Sequence, residues 1–210
     1  MQNAILNDDD VAARISRRTL AKREGDYAGE VRRLLDAGLE QMRRCGTASR
    51  PRVADIVEAA GLSNDAFYRH FRSKDALVTA ILEDGADRLH GYLSHQMAKA
   101  DTPEDRVRQW VEGVLSQADE DIAATTLAVL WNGGAASAGP AAGRHVERLG
   151  PLLVEPFTEL GSADPELDAS LAAHAVLGKL SEHLQRAEPP TPQDVDRTTR
   201  FCLAAAGASR

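Results

Sequence analysis

The sequence is poor in cysteine and in aromatic residues. Its 210 residues include two cysteines, Cys45 and Cys202, and aromatic residues make up 4% of the chain. Because the two thiols lie far apart and neither belongs to a CxxC motif, the sequence predicts no disulfide framework, zinc site or redox motif. Hydrophobic residues at 43% and charged residues at 27% are ordinary proportions for a globular protein, which excludes collagen and intrinsic disorder.

The sequence also lacks a segment typical of a membrane span or an export signal. One candidate is the run of 22 uncharged residues between Asp121 and Arg144. Its second half is rich in glycine and alanine, so it predicts a buried helix followed by a loop. Ser16-Arg17-Arg18 is similar to a twin-arginine signal, yet charged residues occupy the place of the apolar stretch that such a signal needs. We therefore expect a cytoplasmic protein with no membrane partner.

Motifs of common enzyme classes are absent. The sequence contains no GxSxG, GxGxxG, HExxH or P-loop motif. These motifs indicate, in that order, a catalytic serine, a dinucleotide site, a zinc site and a phosphate site. Its six histidines show no metal-ligand spacing, since His90 and His95 are five residues apart and fall on different faces of a helix. The sequence therefore predicts a protein that is not an enzyme and that has neither a metal nor a cofactor.

Positive charge is concentrated towards the N-terminal end of an acidic chain. The formal net charge is −7, but residues 11–75 contain fourteen Lys and Arg against nine Asp and Glu, a balance of +5. Residues 76–210 carry a balance of −9. A nucleic-acid partner is therefore compatible with the overall charge, since a local basic surface suffices for phosphate contacts. Ordinary fluctuation of charge along a chain remains the alternative explanation.

Apolar residues recur at helical intervals along most of the chain, and no stretch alternates with the period of a β-strand. Val31, Leu34, Leu35 and Met42 belong to one such stripe. Later helices begin at capping residues followed by proline, namely Thr102, Asp164 and Thr191. These features predict an all-α fold of about nine helices. Residues 1–25 lack a stripe and are predicted to form a flexible basic arm.

Residues 53–71 have the pattern of a helix-turn-helix motif. A short apolar helix, Val53–Ala60, ends at Gly61, and Ser63 is a natural N-cap for a second helix from Asn64 to Phe71. In this motif the second helix enters the DNA major groove, where the base edges carry the full donor and acceptor code. Helix-turn-helix shapes also occur in proteins that do not bind DNA, so the basic charge of the same segment strengthens the interpretation.

The residues of this motif resemble a known family. Ile56-x-x-x-Ala60-Gly61-Leu62-Ser63, followed by Tyr68-x-x-Phe71-x-x-Lys74-x-x-Leu77, is similar to the signature of TetR-type (tetracycline-repressor-like) transcriptional regulators. The resemblance covers about residues 27–80. It implies a three-helix DNA-binding domain over residues 26–73, preceded by the arm at 1–25. It further implies a helical ligand-binding and dimerisation domain over residues 74–210.

The resemblance and the chemistry of the side chains together suggest which residues contact DNA. Tyr68 and His70 resemble the DNA-facing pair of the family, and Lys74 stands where family members contact phosphate. Asn64 and Asp65 depart from the usual Lys-Gly of the family, so the operator sequence cannot be transferred. The predicted DNA-binding residues are Arg17, Arg18, Arg32, Arg52, Ser63, Asn64, Phe67, Tyr68, His70 and Lys74. For Phe67 an inward, core position is the alternative, and for the arm a solvated tail.

For the acidic remainder of the chain the resemblance implies a cavity for a small molecule. The last two helices are implied to form a four-helix bundle with their counterparts across a two-fold axis. Large or polar residues on otherwise small-residue helices are predicted to line the cavity, with ordinary core or surface positions as the alternative for each: Trp110, Trp131, Asn132, His145, Phe157 and His174.

The function that this sequence predicts is a ligand-responsive transcriptional regulator, most simply a repressor. Its expected partners are a double-stranded DNA operator of pseudo-palindromic sequence, a second copy of the chain, and a largely apolar small-molecule effector. The alternative is a helical dimeric adaptor or small-molecule-binding protein without specific DNA binding.

Overall fold

The computed structural model describes residues 11–133 and 140–207, and within these ranges the chain forms α-helices, 3-10 turns and no β-strand. The prediction of an all-α fold is confirmed. Ten α-helices lie in the described ranges, because Gly150–Leu153 forms a 3-10 turn that separates two short helices around the prolines. The helices are α1 Val11–Cys45, α2 Val53–Ala60, α3 Asn64–His70, α4 Lys74–Met97, α5 Pro103–Leu115, α6 Glu120–Gly133, α7 Pro140–Leu149, α8 Val154–Glu159, α9 Pro165–Arg186 and α10 Pro192–Ala205.

The first helix is much longer than the sequence pattern predicts. It runs for 35 residues and includes residues 11–25, so the flexible arm predicted for 1–25 is wrong over that part; residues 1–10 lie outside the described residues. The segment is helical without an apolar stripe because alanine, arginine, leucine and lysine are good helix formers. It does not need a stripe, since Ile15 and Leu20 are more than half exposed and are not packed in a core.

The N-terminal half of the molecule has its own hydrophobic core. Leu34, Ile56, Phe67 and Leu77 are fully buried there, so α1, α2, α3 and the start of α4 form one packed unit. The turn between α2 and α3 needs Gly61, whose φ of 62° lies in the left-handed region that residues with a Cβ avoid. This unit fixes the orientation of α3.

A second core holds the C-terminal helices together. The indole nitrogen of Trp110 donates a hydrogen bond to the carbonyl oxygen of Leu149 at 3.0 Å, inside the protein. Phe157 and Cys202 are fully buried in the same cluster. Because a buried indole N–H without a partner is costly, this bond fixes the approach of α7 to α5.

Two helices connect the cores. The first half of α4 contributes Leu77 and Ile81 to the N-terminal core, and its second half contributes Leu93 and Met97 to the C-terminal core. Helix α6 also reaches both, since Val129 is buried in the N-terminal core while Leu127 and Leu130 pack on the other. At the end of α6 the guanidinium of Arg50 lies 5.3 Å from the Trp131 ring centroid. In the part of the chain that is described, no helix is both long and apolar enough to cross a membrane.

The two cysteines are expected to react very differently with thiol reagents. Burial raises the pKa of the Cys202 thiol to about 12, so it stays protonated and inaccessible, whereas Cys45 is partly exposed. In the native protein one thiol per chain should react with a chromogenic disulfide reagent, and in denaturant two. Cys45→Ser should abolish the native reaction, and a fast native reaction in that variant would contradict the assigned burial.

Candidate functional site

Helix α3 presents one polar and one buried face. Ser63 caps it, and its hydroxyl accepts a hydrogen bond from the Ala66 amide at 3.1 Å. Phe67 lies on the inner face, fully buried. On the outer face Asn64 is exposed and the Tyr68 side chain is 59% exposed. The outer face therefore offers an amide and a phenol, both of which can donate to and accept from base edges or phosphates.

A charged cluster fastens α3 to α1. Glu30 on α1 accepts a hydrogen bond from the Arg69 guanidinium at 2.9 Å and lies 2.6 Å from Nε2 of His70. Tyr27 packs edge-on against the His70 ring, with 4.2 Å between the ring centroids. The His70 side chain is fully buried by these contacts. One carboxylate thus holds the C-terminal end of α3 in position.

Two of the predicted DNA contacts are wrong. Phe67 is a core residue whose ring packs against Phe71 with the centroids 5.8 Å apart, so its side chain cannot reach DNA. His70 is occupied by Glu30 and Tyr27 beneath the surface, so it orients the helix instead of touching base pairs. The exposed cation that lies beside it, Arg69, is a candidate that the sequence interpretation missed. Its position next to Tyr68 in the second helix of the motif is the sequence feature that could have identified it.

Two of the remaining predicted cations, Arg52 and Lys74, have partners within the protein. Arg52 donates to the Asp55 carboxylate at 2.8 Å, and its side chain is 81% exposed. The Lys74 ammonium donates to the carbonyl oxygen of Pro51 at 3.3 Å, which leaves two N–H donors for a phosphate. Arg17 and Arg18 are exposed on the N-terminal extension of α1.

Arg32 lies towards α4 and is engaged there. Its guanidinium is 2.9 Å from the Asp84 carboxylate, so an intramolecular ion pair competes with the predicted phosphate contact. Arg50 is a further exposed cation that the sequence interpretation missed. It precedes Pro51 and α2, on the loop that Lys74 also contacts.

A cavity of about 730 Å³ lies between the two cores. Helices α1, α4, α6 and α9 line it mostly with leucine, isoleucine and valine side chains, and Gln117 and His145 complete the wall. Its volume falls within the range of about 300–1,000 Å³ that is typical of small-molecule sites. Because α1 and α4 pack in the N-terminal core with the helix-turn-helix as well as forming this wall, a molecule in the cavity would contact that N-terminal unit directly.

Of the six residues predicted to line the cavity, His145 alone does so. Trp110 and Phe157 are fully buried core residues, because their rings fill the second core. Trp131 contacts Arg50 from the protein surface. The Asn132 amide donates to the Ala128 carbonyl oxygen at 2.8 Å, one turn back in its own helix.

The sixth residue, His174, is exposed on α9, where Nδ1 lies 2.8 Å from the carbonyl oxygen of Ser170. Polar lining residues that the sequence interpretation missed come from α4 and α9, among them Arg88, Tyr92 and Gln185. The sequence pattern that could have identified Arg88 and Tyr92 is their spacing of four residues on α4, the helix that follows the helix-turn-helix.

Loss of the Glu30 carboxylate is expected to loosen α3. Hydrogen bonds from His70 and then from Arg69 hold the pKa of Glu30 below its usual range. Such a carboxylate stabilises the fold above its unfolded pKa of about 4.3, and the contribution disappears as the pH falls through the lower folded pKa. Glu30→Gln should therefore lower Tm at neutral pH, and the difference from wild type should shrink as the pH falls below about 4.

The measurement is thermal unfolding followed by circular dichroism across that pH range. Glu58→Gln, which removes an exposed glutamate of α2, is the matched control and should leave Tm nearly unchanged. A difference between Glu30→Gln and wild type that stayed constant with pH would contradict the role of the Glu30 charge.

Comparison with known proteins agrees with this geometry. Residues 34–81 match the model of the family described as bacterial regulatory proteins, tetR family. No curated protein matches the chain. Three solved structures with the same fold are the fatty acid degradation regulator FadR from Bacillus halodurans, a TetR-family transcriptional regulator from Mesorhizobium loti, and RolR in complex with resorcinol.

These three structures share little sequence identity with this chain but align with most of it. FadR is 21% identical, with a TM-score of 0.62 over 83% of this chain and 94% of its own. The Mesorhizobium loti protein is 18% identical, with a TM-score of 0.62 over 87% and 95%. RolR is 19% identical, with a TM-score of 0.62 over 89% and 96%. Residues 34–81 therefore resemble the family described as bacterial regulatory proteins, tetR family, and the whole chain shares the fold of these three solved structures.

Proposed function

We propose that this protein is a ligand-responsive transcriptional repressor that binds its operator as a two-fold dimer. The observation that carries the proposal is the position of the cavity. It lies between the N-terminal and C-terminal cores and is bordered by α1 and α4, which also carry the helix-turn-helix unit. This role requires a cytoplasmic location, where the DNA is, and no catalytic step.

Recognition of DNA is assigned to the outer face of α3. Asn64 and Tyr68 would contact base edges in the major groove, and the N–H groups of Arg69 that do not donate to Glu30 would reach base edges or phosphates beside them. Arg52 and Lys74 would contact phosphates on either side, which sets register without reading sequence. Arg17 and Arg18 lie on a helical extension of α1 and would contact flanking phosphates.

A second copy of the chain is assigned to the exposed apolar face of α9 and α10. Leu167 and Leu171 are 54% and 57% exposed on α9, and Phe201 is 57% exposed on α10. Ala175 and Gly178 continue the α9 stripe with small exposed residues, which permit close helix approach. A two-fold dimer that binds two successive major grooves needs its two α3 helices about 34–36 Å apart. This face supports the predicted four-helix bundle.

The effector is assigned to the cavity, and its action to a shift between two dimer conformations. A ligand changes operator affinity only if it binds one conformation better than the other. A molecule that fills the space between α1, α4 and α6 would favour a different spacing of these helices, and hence of the two α3 helices. The resorcinol complex of RolR, a protein of the same fold, supports a small-molecule effector for this chain as well.

Removal of either outer-face side chain of α3 is expected to weaken specific DNA binding. Asn64→Ala and Tyr68→Ala should each lower affinity for the operator by about tenfold or more, because one specific base contact is worth about 1–3 kcal/mol. The measurement is fluorescence anisotropy with the DNA upstream of the protein's own gene, over a series of salt concentrations. Specific binding should fall steeply with salt, since phosphate contacts release counterions.

Lys99→Ala provides the charge-matched control for Lys74→Ala in the same assay. Lys99 is exposed two residues after the C-terminal end of α4, so its removal should leave the salt slope unchanged, whereas loss of Lys74 should reduce the slope by about one. No specific binding by the wild-type protein would favour the adaptor alternative. Unchanged affinity in both α3 variants would contradict the assigned face.

Charge placed on the α9–α10 face is expected to separate the dimer. Leu171→Glu combined with Phe201→Glu should yield a monomer in size-exclusion chromatography with light scattering, because two carboxylates would be buried unpaired. Leu20→Glu is the matched control, since Leu20 is also 57% exposed but lies on the α1 extension. A dimer that survives the double substitution, or a monomeric wild type, would refute this interface.

A further inference from the structure

Four charged side chains meet at one edge of the cavity and neutralise one another. Asp84 lies 2.9 Å from Arg32 and 2.8 Å from Arg88. Asp36 lies 3.6 Å from Arg88 and 3.9 Å from Arg32. Arg32 and Asp36 belong to α1, and Asp84 and Arg88 to α4. We call this set the rim quartet; it has two positive and two negative charges and joins the two helices.

The rim quartet contains the Asp and Arg side chains of the cavity lining. Asp36, Asp84 and Arg88 line the cavity, and Arg32 stands behind Asp84. An anion that approaches Arg88 therefore meets the carboxylates of Asp84 and Asp36 at the same place. A cation that approaches either aspartate meets two guanidinium groups. Each charge of the quartet therefore has a neighbour of opposite sign within 4 Å.

The rest of the wall offers neutral chemistry. Apart from His145, its other polar side chains are hydroxyl, phenol and amide groups: Tyr92, Gln117, Thr125, Thr126, Ser181 and Gln185. These groups can hydrogen-bond an alcohol, a phenol or a carbonyl group. An ionised carboxylate would lose hydration on entering this mostly apolar space, and that cost is large unless a free cation replaces the water.

We propose that the cavity selects neutral, largely apolar ligands with a hydroxyl or carbonyl group, and that Asp84 is the residue that determines specificity against carboxylates. Asp84 does so by occupying Arg32 and Arg88, which would otherwise receive an anionic ligand. This inference rests on the proposed function only in taking the cavity as the effector site. It concerns the charge of the ligand and is independent of which DNA is bound.

The test compares two probes that share the naphthalene ring system, β-naphthol and β-naphthoate; the first is neutral, and the second carries a slightly larger, anionic group. Binding to the full-length protein without DNA is measured by equilibrium dialysis at about pH 8, where β-naphthol is neutral and β-naphthoate is ionised. The wild-type protein should bind β-naphthol at least about tenfold more tightly than β-naphthoate. Equal affinities, a preference for β-naphthoate, or no binding of either probe would overturn the proposal.

Asp84→Asn tests the assigned residue. The amide keeps the shape of the side chain but frees the two guanidinium groups from their closest anion, so the ratio of the two affinities should move at least about fivefold towards β-naphthoate. Asp36→Asn should move it in the same direction and provides the second variant if Asp84→Asn does not fold. Glu83→Gln, which removes an exposed carboxylate one residue earlier on α4 and outside this lining, should leave the ratio unchanged.

An unchanged ratio in folded Asp84→Asn would overturn the role of Asp84. That failure is distinguishable from failure of the proposed function, because operator binding by the ligand-free protein is measured separately. A protein that binds its operator specifically but shows no preference for β-naphthol would still be a DNA-binding regulator, with another class of ligand. A protein that prefers β-naphthol but binds no DNA would keep the ligand class and lose the regulatory role.

Discussion

Helix α4 packs into two separate hydrophobic cores, and this double membership constrains the rest of the molecule. Leu77 and Ile81 bind it to α1 and the helix-turn-helix, whereas Leu93 and Met97 bind it to the C-terminal helices. Protein interiors are densely packed. A movement of α4 relative to its neighbours in one core must therefore be accommodated by its neighbours in the other core. The cavity lies beside the middle of the rod, where the two cores leave space between them.

Charged clusters have different roles at the two ends of the N-terminal unit that α1, α2, α3 and the start of α4 form. Around α3 a single carboxylate, Glu30, holds Arg69 and His70 and so fixes the helix that is proposed to enter the groove. At the cavity edge, Asp84 joins Arg32 on α1 to Arg88 on α4. Both clusters span helices that are distant in sequence. They therefore fix the relative position of packed helices.

The sequence was sufficient to predict the helix-turn-helix but not the roles of all its side chains. Ser63 and Gly61 act locally, so a cap and a left-handed turn could be read from neighbouring residues. His70 could not be interpreted this way, because its partner Glu30 precedes it by 40 residues. The aromatic residues Trp110 and Phe157 were predicted for the cavity for a similar reason. Their size marks them as buried but does not indicate whether core atoms or a ligand surround them.

Local interactions thus let the sequence determine the all-α class, the capped starts of the later helices, and the turn that presents α3. Each of these depends on contacts within a few residues, which a one-dimensional pattern contains. Tertiary packing alone decided that the cavity lies against α1 and α4, and that Asp84 neutralises Arg32 and Arg88. These features depend on which helix faces meet in space, and helical periodicity identifies an apolar face without identifying its neighbour.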